Sequence, residues 1–247
     1  MLEAAAWAGL AAMTLILGAW AGASFDASPR RTGLVMGFGA GALIASVSFE
    51  LTADAFERGG AVPLTLGLAV GALVYFLGNL YVARLGGAHR KRISDDPSTT
   101  ADQDAAPMAL LLGAGLDAIP ESLIIGLTLI GGGSVEIAFL VSVAISNLPE
   151  GFASAAGQRR QGKTPREIIP RWLLIVAISA ACGALGFLLF DDLPQSAVAF
   201  TKAFGAGALL VMVLDTMAPE AEREAGPASG LVAVAGFAFA FLLGAAA

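Results

Sequence analysis

Apolar residues dominate this chain in runs of about twenty, broken by short polar punctuation. A run of that length spans the hydrocarbon core of a bilayer as a helix. Eight runs qualify: Leu2 to Phe25, Gly33 to Ala53, Ala61 to Leu85, Pro107 to Gly131, Val135 to Gly157, Arg171 to Phe190, Ser196 to Met217, and Pro227 to Ala247. Two linkers differ from the other joins. Gly86 to Ala106 is polar and rich in Asp, Ser and Thr, and Arg159 to Arg171 is short and basic. The pattern predicts an all-α integral membrane protein, one transmembrane domain of eight helices over residues 1–247.

Composition narrows the class. Of 247 residues, 57% are hydrophobic and 14% charged, against about a quarter charged in soluble domains. The net charge of -6 argues against a nucleic-acid partner, which would call for a basic face. A lone cysteine, Cys182, supports neither a disulfide framework nor a cysteine zinc site. The first basic residue is Arg30, after the first apolar run, so that run lacks the charged start of a signal peptide and is expected to be a retained span.

Charge also orients the spans. Lys and Arg in short loops collect on the cytoplasmic side. Twelve of the fourteen follow spans one, three, five and seven; only Arg58 and Lys202 fall on the other side. This bias predicts an even number of spans with both termini outside the cytoplasm.

The word Phe38-Gly-Ala-Gly-Ala-Leu43 recurs as Phe204-Gly-Ala-Gly-Ala-Leu209, in spans two and seven, and both spans end in acidic tails. By the charge count these spans run in opposite directions. Spans four and five, likewise opposed, each carry a proline-acid word: Asp117-Ala-Ile-Pro-Glu121 and Ser146-Asn-Leu-Pro-Glu150-Gly. The expected plan is three spans, an inverted pair, then three more. Inverted repeats with interrupted helices mark secondary transporters.

The proline-acid words carry the candidate chemistry. An acid at membrane depth is costly unless it meets a cation or lines a wet cavity. Asp117 and Glu121, like Ser146 and Glu150, are four apart and share a helix face. Pro120 frees the carbonyl of Leu116, and Pro149 frees that of Ile145. If the two faces meet, Asp117, Glu121 and Glu150 form a carboxylate site with Ser146 and Asn147 as neutral oxygen donors. Like charges so placed would not all stay ionised without a cation. A divalent metal ion resolves this, and its uptake would expel protons.

These residues resemble the ZIP family of metal-ion transporters, over nearly the whole chain. The resemblance is specific at Pro120, Glu121, Asn147, Pro149, Glu150, Gly151 and the phenylalanine-glycine words. It implies eight helices in a three-two-three inverted repeat, outside termini, a homodimer, and import of divalent metals such as zinc, iron, manganese or cadmium as cargo, with no cofactor and no enzymatic activity. It also implies that the spans around the metal move against a scaffold containing the repeated pair. The chain resembles a divergent, bacterial-type member, which would sit in the bacterial inner membrane. It departs from the family where histidines usually stand. Asp117 and Ser146 occupy two such positions, Glu50 a third near the end of span two, and Asp215 and Thr216 stand at a His-Glu register in span seven. Span six offers no second-site glutamate. His89, in the polar linker, is the one histidine. An oxygen-only donor set broadens the expected cargo toward harder ions, although zinc also accepts carboxylate oxygen. Glu50 and Asp215 are candidate way-stations toward the membrane surfaces.

Two other classes fit the residues less well. A membrane cation sensor would bind a metal without moving it, but no signalling domain is recognisable. A membrane enzyme would need chemistry that the chain lacks, since neither a Ser-His-Asp set nor a His-Glu-x-x-His word is present.

Overall fold

The computed structural model describes residues 1–25, 28–85, 106–130, 134–160, 162–190 and 193–246. Among the described residues there are long helices and no strand: α1 (Leu2–Ser24), α2 (Pro29–Gly59), α3 (Ala61–Arg84), α4 (Ala106–Thr128), α5 (Ile137–Arg160), α6 (Pro165–Phe190), α7 (Gln195–Ala225) and α8 (Ala228–Ala246). Seven are long and apolar enough to cross a membrane, α4 being the exception among those named. In α4 the described side chains begin at Leu112, a stretch shorter than a full span. The linker Gly86 to Ala106, His89 included, lies outside the described residues except for Ala106, which opens α4.

Helix boundaries follow the apolar runs, with three instructive differences. The run in α2 ends at Ala53, yet the helix continues through Asp54, Glu57 and Arg58 to Gly59. Charged residues continue a helix readily; Gly60, at φ 73°, ends it in a backbone region that favours glycine. The run in α7 ends at Met217, and the helix goes on to Ala225, stopped by Gly226 at φ 66°. The helix α6 begins at Pro165, before the predicted Arg171. A capping box sets that start. The backbone N–H and hydroxyl of Thr164 both donate to Glu167 Oε2 at 2.8 Å, and proline suits the first helical turn.

Breaks expected at the prolines are not where the backbone changes. Pro120 and Pro149 both lie inside continuous helices. Instead α2 widens to a π-turn over Val47–Thr52 and α7 over Val213–Met217. Hydroxyl groups satisfy carbonyls around these wide turns: Ser48 donates to Ile44 at 2.7 Å, Thr52 to Ser48 at 2.6 Å, and Thr216 to Met212 at 2.6 Å. The two wide turns begin 166 positions apart, as do Gly60 and Gly226 and the two phenylalanine-glycine words.

Packing places α1 against α5 and α6, α2 against α5, α7 and α8, α3 against α7, and α4 against α6 and α7. The helices α3 and α8 are the most peripheral of the seven candidate spans. The phenylalanine-glycine words explain the close approaches. In the first, a side chain on Gly39 would crowd Ser146 of α5, and one on Gly41 would overlap the Ala233 carbonyl of α8. In the second, Gly205 faces Ile124 of α4 and Gly207 the Leu68 carbonyl of α3. Each word therefore uses its first glycine against a helix bearing a proline-acid word and its second against an outer helix. With lipid as apolar as the helix surface, such close backbone packing is what holds spans together.

Candidate metal-binding site

The acids of both words point inward. On α4, Asp117, Ala118, Glu121 and Ser122 are buried, whereas Ile119 on the opposite face is exposed. On α5, Ser142, Ser146, Asn147, Glu150 and Ser154 form the buried face, and Leu148 is exposed. Asp117 and Glu121 are each 3% exposed and Glu150 is 6% exposed, so none meets lipid as a charged side chain. Burial this deep of a carboxylate demands a compensating partner.

Local contacts fix how each donor is presented. The Asn147 side-chain amide donates to the Ala11 carbonyl of α1 at 3.3 Å, which leaves its amide oxygen as the atom a cation could use. The Ser146 hydroxyl donates to the Val143 carbonyl at 2.9 Å, so its lone pairs are the available function. Gly151, next to Glu150, lets the Leu15 carbonyl of α1 approach where any side chain would overlap it. The glycine of this word is thus a packing requirement of the α1–α5 contact. About one turn before the word, Ser142 meets Ser46 of α2 at 2.9 Å.

A residue that the sequence did not single out enters here. Tyr75 of α3 is 1% exposed, and its hydroxyl donates to Asp117 Oδ1. The available signal was spacing: Gly67, Gly71 and Tyr75 recur every four residues as the buried stripe of a helix that otherwise faces outward.

Among the described residues, no three His, Cys, Asp or Glu side chains stand together closely enough to hold one ion. Asp117, Glu121 and Glu150 therefore do not form a closed triad in this conformation. The helices α4 and α5 touch over only a short stretch, each being backed more extensively by other helices. Nor do the two way-station candidates join these acids in such a group. Glu50 is half-buried in the wide turn of α2, its Oε1 against Gly244 of α8, and Asp215 is exposed in the wide turn of α7.

A second polar centre lies on α7. Lys202 is 2% exposed, and its ammonium sits 2.7 Å from Asp54 Oδ2 of α2 and 2.9 Å from Glu136 Oε1, just ahead of α5. Asp54 also binds Arg58 at 2.7 Å, and Arg58 reaches Gln195 at 3.0 Å. The two cations that the charge count set apart from the other twelve thus share one carboxylate.

The chain is 26% identical, over 205 residues, to an Arabidopsis thaliana protein named as a putative zinc transporter. The match covers 82% of this chain and 32% of that protein, so the chain spans about a third of the length of the curated relative it matches. No family model matches the chain.

Proposed function

We propose that this chain is a ZIP-type transporter that carries a divalent metal ion across the membrane toward the cytoplasm. The observation that carries this reading is the burial of three carboxyl side chains, Asp117, Glu121 and Glu150, on the inward faces of two helices inside a bundle of membrane-length helices. The proposed donors are those carboxylates with the oxygens of Ser146 and Asn147. Closing them on one ion requires α4 and α5 to draw their acidic faces together, which is the conformational change that a carrier makes around its cargo. The name of the Arabidopsis relative fits the same reading.

The proposal includes α4 as an eighth span, a three-two-three inverted repeat, and both termini outside the cytoplasm. Two observations support the repeat and a third the orientation. The wide turns, stopping glycines and glycine words all recur at the same 166-residue interval. The helix contacts are preserved when α1 exchanges with α6, α2 with α7, α3 with α8 and α4 with α5: α1 on α5 becomes α6 on α4, and α3 on α7 becomes α8 on α2. The meeting of Arg58 and Lys202 at Asp54 fits their assignment to one side of the membrane.

Purified protein in liposomes loaded with a metal-sensitive dye tests the function. Zinc, manganese or cadmium should enter, and Glu121→Ala with Glu150→Ala should abolish entry. Uptake that survives the double substitution refutes the site. Asp117→His should shift preference toward zinc, because imidazole is a softer donor than carboxylate; unchanged selectivity would remove Asp117 from the ligand set.

A further inference from the structure

We propose that Tyr75 is a positioning residue for the metal site: its hydroxyl, presented by α3, aims the Asp117 carboxylate and thereby sets the affinity for a divalent cation. The inference rests on the transporter reading only in taking Asp117 as a ligand.

The small residues of α3 set where this contact falls. Gly67 and Gly71 let the helix settle against the backbone of α7 at Phe200 and Phe204. The next residue on the same stripe, Tyr75, is therefore delivered to a fixed depth with its ring enclosed. Gly78, one turn further, leaves room for the side chain of Leu116, the neighbour of Asp117. The α3–α4 contact is thus built on Tyr75 and Gly78 around Leu116 and Asp117.

A carboxylate needs such a partner if it is to serve as a reproducible ligand. The terminal torsion of an aspartate is broad, so the group turns easily about its own axis. A donor fixed to one oxygen removes that freedom and holds the carboxylate in its acceptor form. Outer partners of this kind orient metal ligands, and their loss lowers metal affinity about 10- to 100-fold. A buried tyrosine hydroxyl needs an acceptor in any case, and any main-chain carbonyl would serve that need. The choice of a site carboxylate on another helix is what the positioning role explains.

Position on α3 adds a consequence. The orienting hydroxyl belongs to a helix packed on α7, whereas Asp117 belongs to α4. Displacement of α4 along α3 separates the two, so the cation is held more weakly once the site has moved. Transport needs that difference between loading and release.

The test is Tyr75→Phe in the full-length chain, a change that removes one oxygen and keeps the ring. Initial rates of zinc and manganese entry into liposomes should show KM raised about 10- to 100-fold, with the maximal rate largely retained. In an Asp117→Asn background the same substitution should change KM no further, since the two residues act through one contact. Zinc titration of the detergent-solubilised protein by calorimetry gives the same comparison without flux. An unchanged KM and binding constant for Tyr75→Phe would overturn the proposal. So would an equal fold-change with and without Asp117→Asn, which would mark a packing role. Wild-type protein that binds zinc but carries none would defeat the transport reading and leave the binding comparison to decide on Tyr75. Wild-type protein that binds no divalent cation would defeat both.

Discussion

The tails of α2 and α7 share a backbone and differ in chemistry. Both follow a glycine word, widen to a π-turn and stop at a glycine of positive φ, with the same 166-residue interval throughout. In the first tail, Asp54 joins Arg58 of its own helix to Lys202 of α7, and Lys202 joins Glu136 at the entrance to α5. One ammonium therefore links three parts of the chain. In the second tail, Arg223 pairs with Glu220 at 2.7 Å and Glu224 at 3.1 Å, all within α7. The difference teaches that glycine positions and hydroxyl caps can preserve a backbone shape while side chains give each end its own ionic character. π-turns of this kind are common at functional sites, and here they lead into both charged ends.

The comparison breaks most visibly at Lys202. Losing one member of a buried ion pair costs about 3–5 kcal/mol. Asp54 keeps 26% and Glu136 23% of its side-chain exposure, which relieves part of that penalty. Lys202→Met should therefore cost about 3 kcal/mol, read as a lowered midpoint of thermal unfolding in detergent micelles. If it proves no worse than a change at Arg223, the two tails are energetically alike and the contrast is only geometric.

Paired glycines sharpen the other half of the comparison. A methyl group at Gly71 would overlap the Phe204 carbonyl, and one at Gly236 would overlap that of Phe38. Overpacking costs about 1–3 kcal/mol, so Gly71→Ala and Gly236→Ala should destabilise by similar amounts. Strongly unequal losses would show that the repeated backbone does not carry repeated energetics. Arg223→Ala should cost about 2 kcal/mol, because Arg223 retains 34% of its side-chain exposure while Glu220 and Glu224, at 7% and 4%, would be left as buried carboxylates without this cation. Raised salt should shrink that loss in the same unfolding assay.

The helices and the inward face of the acids were legible because hydropathy and four-residue spacing report burial directly. Asp117 with Glu121, and Ser146 with Glu150, fall on buried faces as their spacing requires. The tails were less legible. Asp54, Glu57 and Arg58 end an apolar run without ending a helix, since hydropathy registers the membrane boundary and not the backbone hydrogen bonds. Thr164-Pro-Arg-Glu167 did announce the start of α6, but its polar character hid it beside an apolar stretch. Tyr75 and Lys202 were hidden for a different reason. Each acts through a partner far away in sequence, Asp117 or Asp54 and Glu136, and no local pattern encodes that meeting.

The corner at Gly60 reaches further than its size suggests. It is the single residue between α2 and α3, and it turns the chain without any length to spare. With so short a connector, the tail of α2, where Asp54 grips Lys202, and the base of the helix that presents the phenol to Asp117 are held side by side.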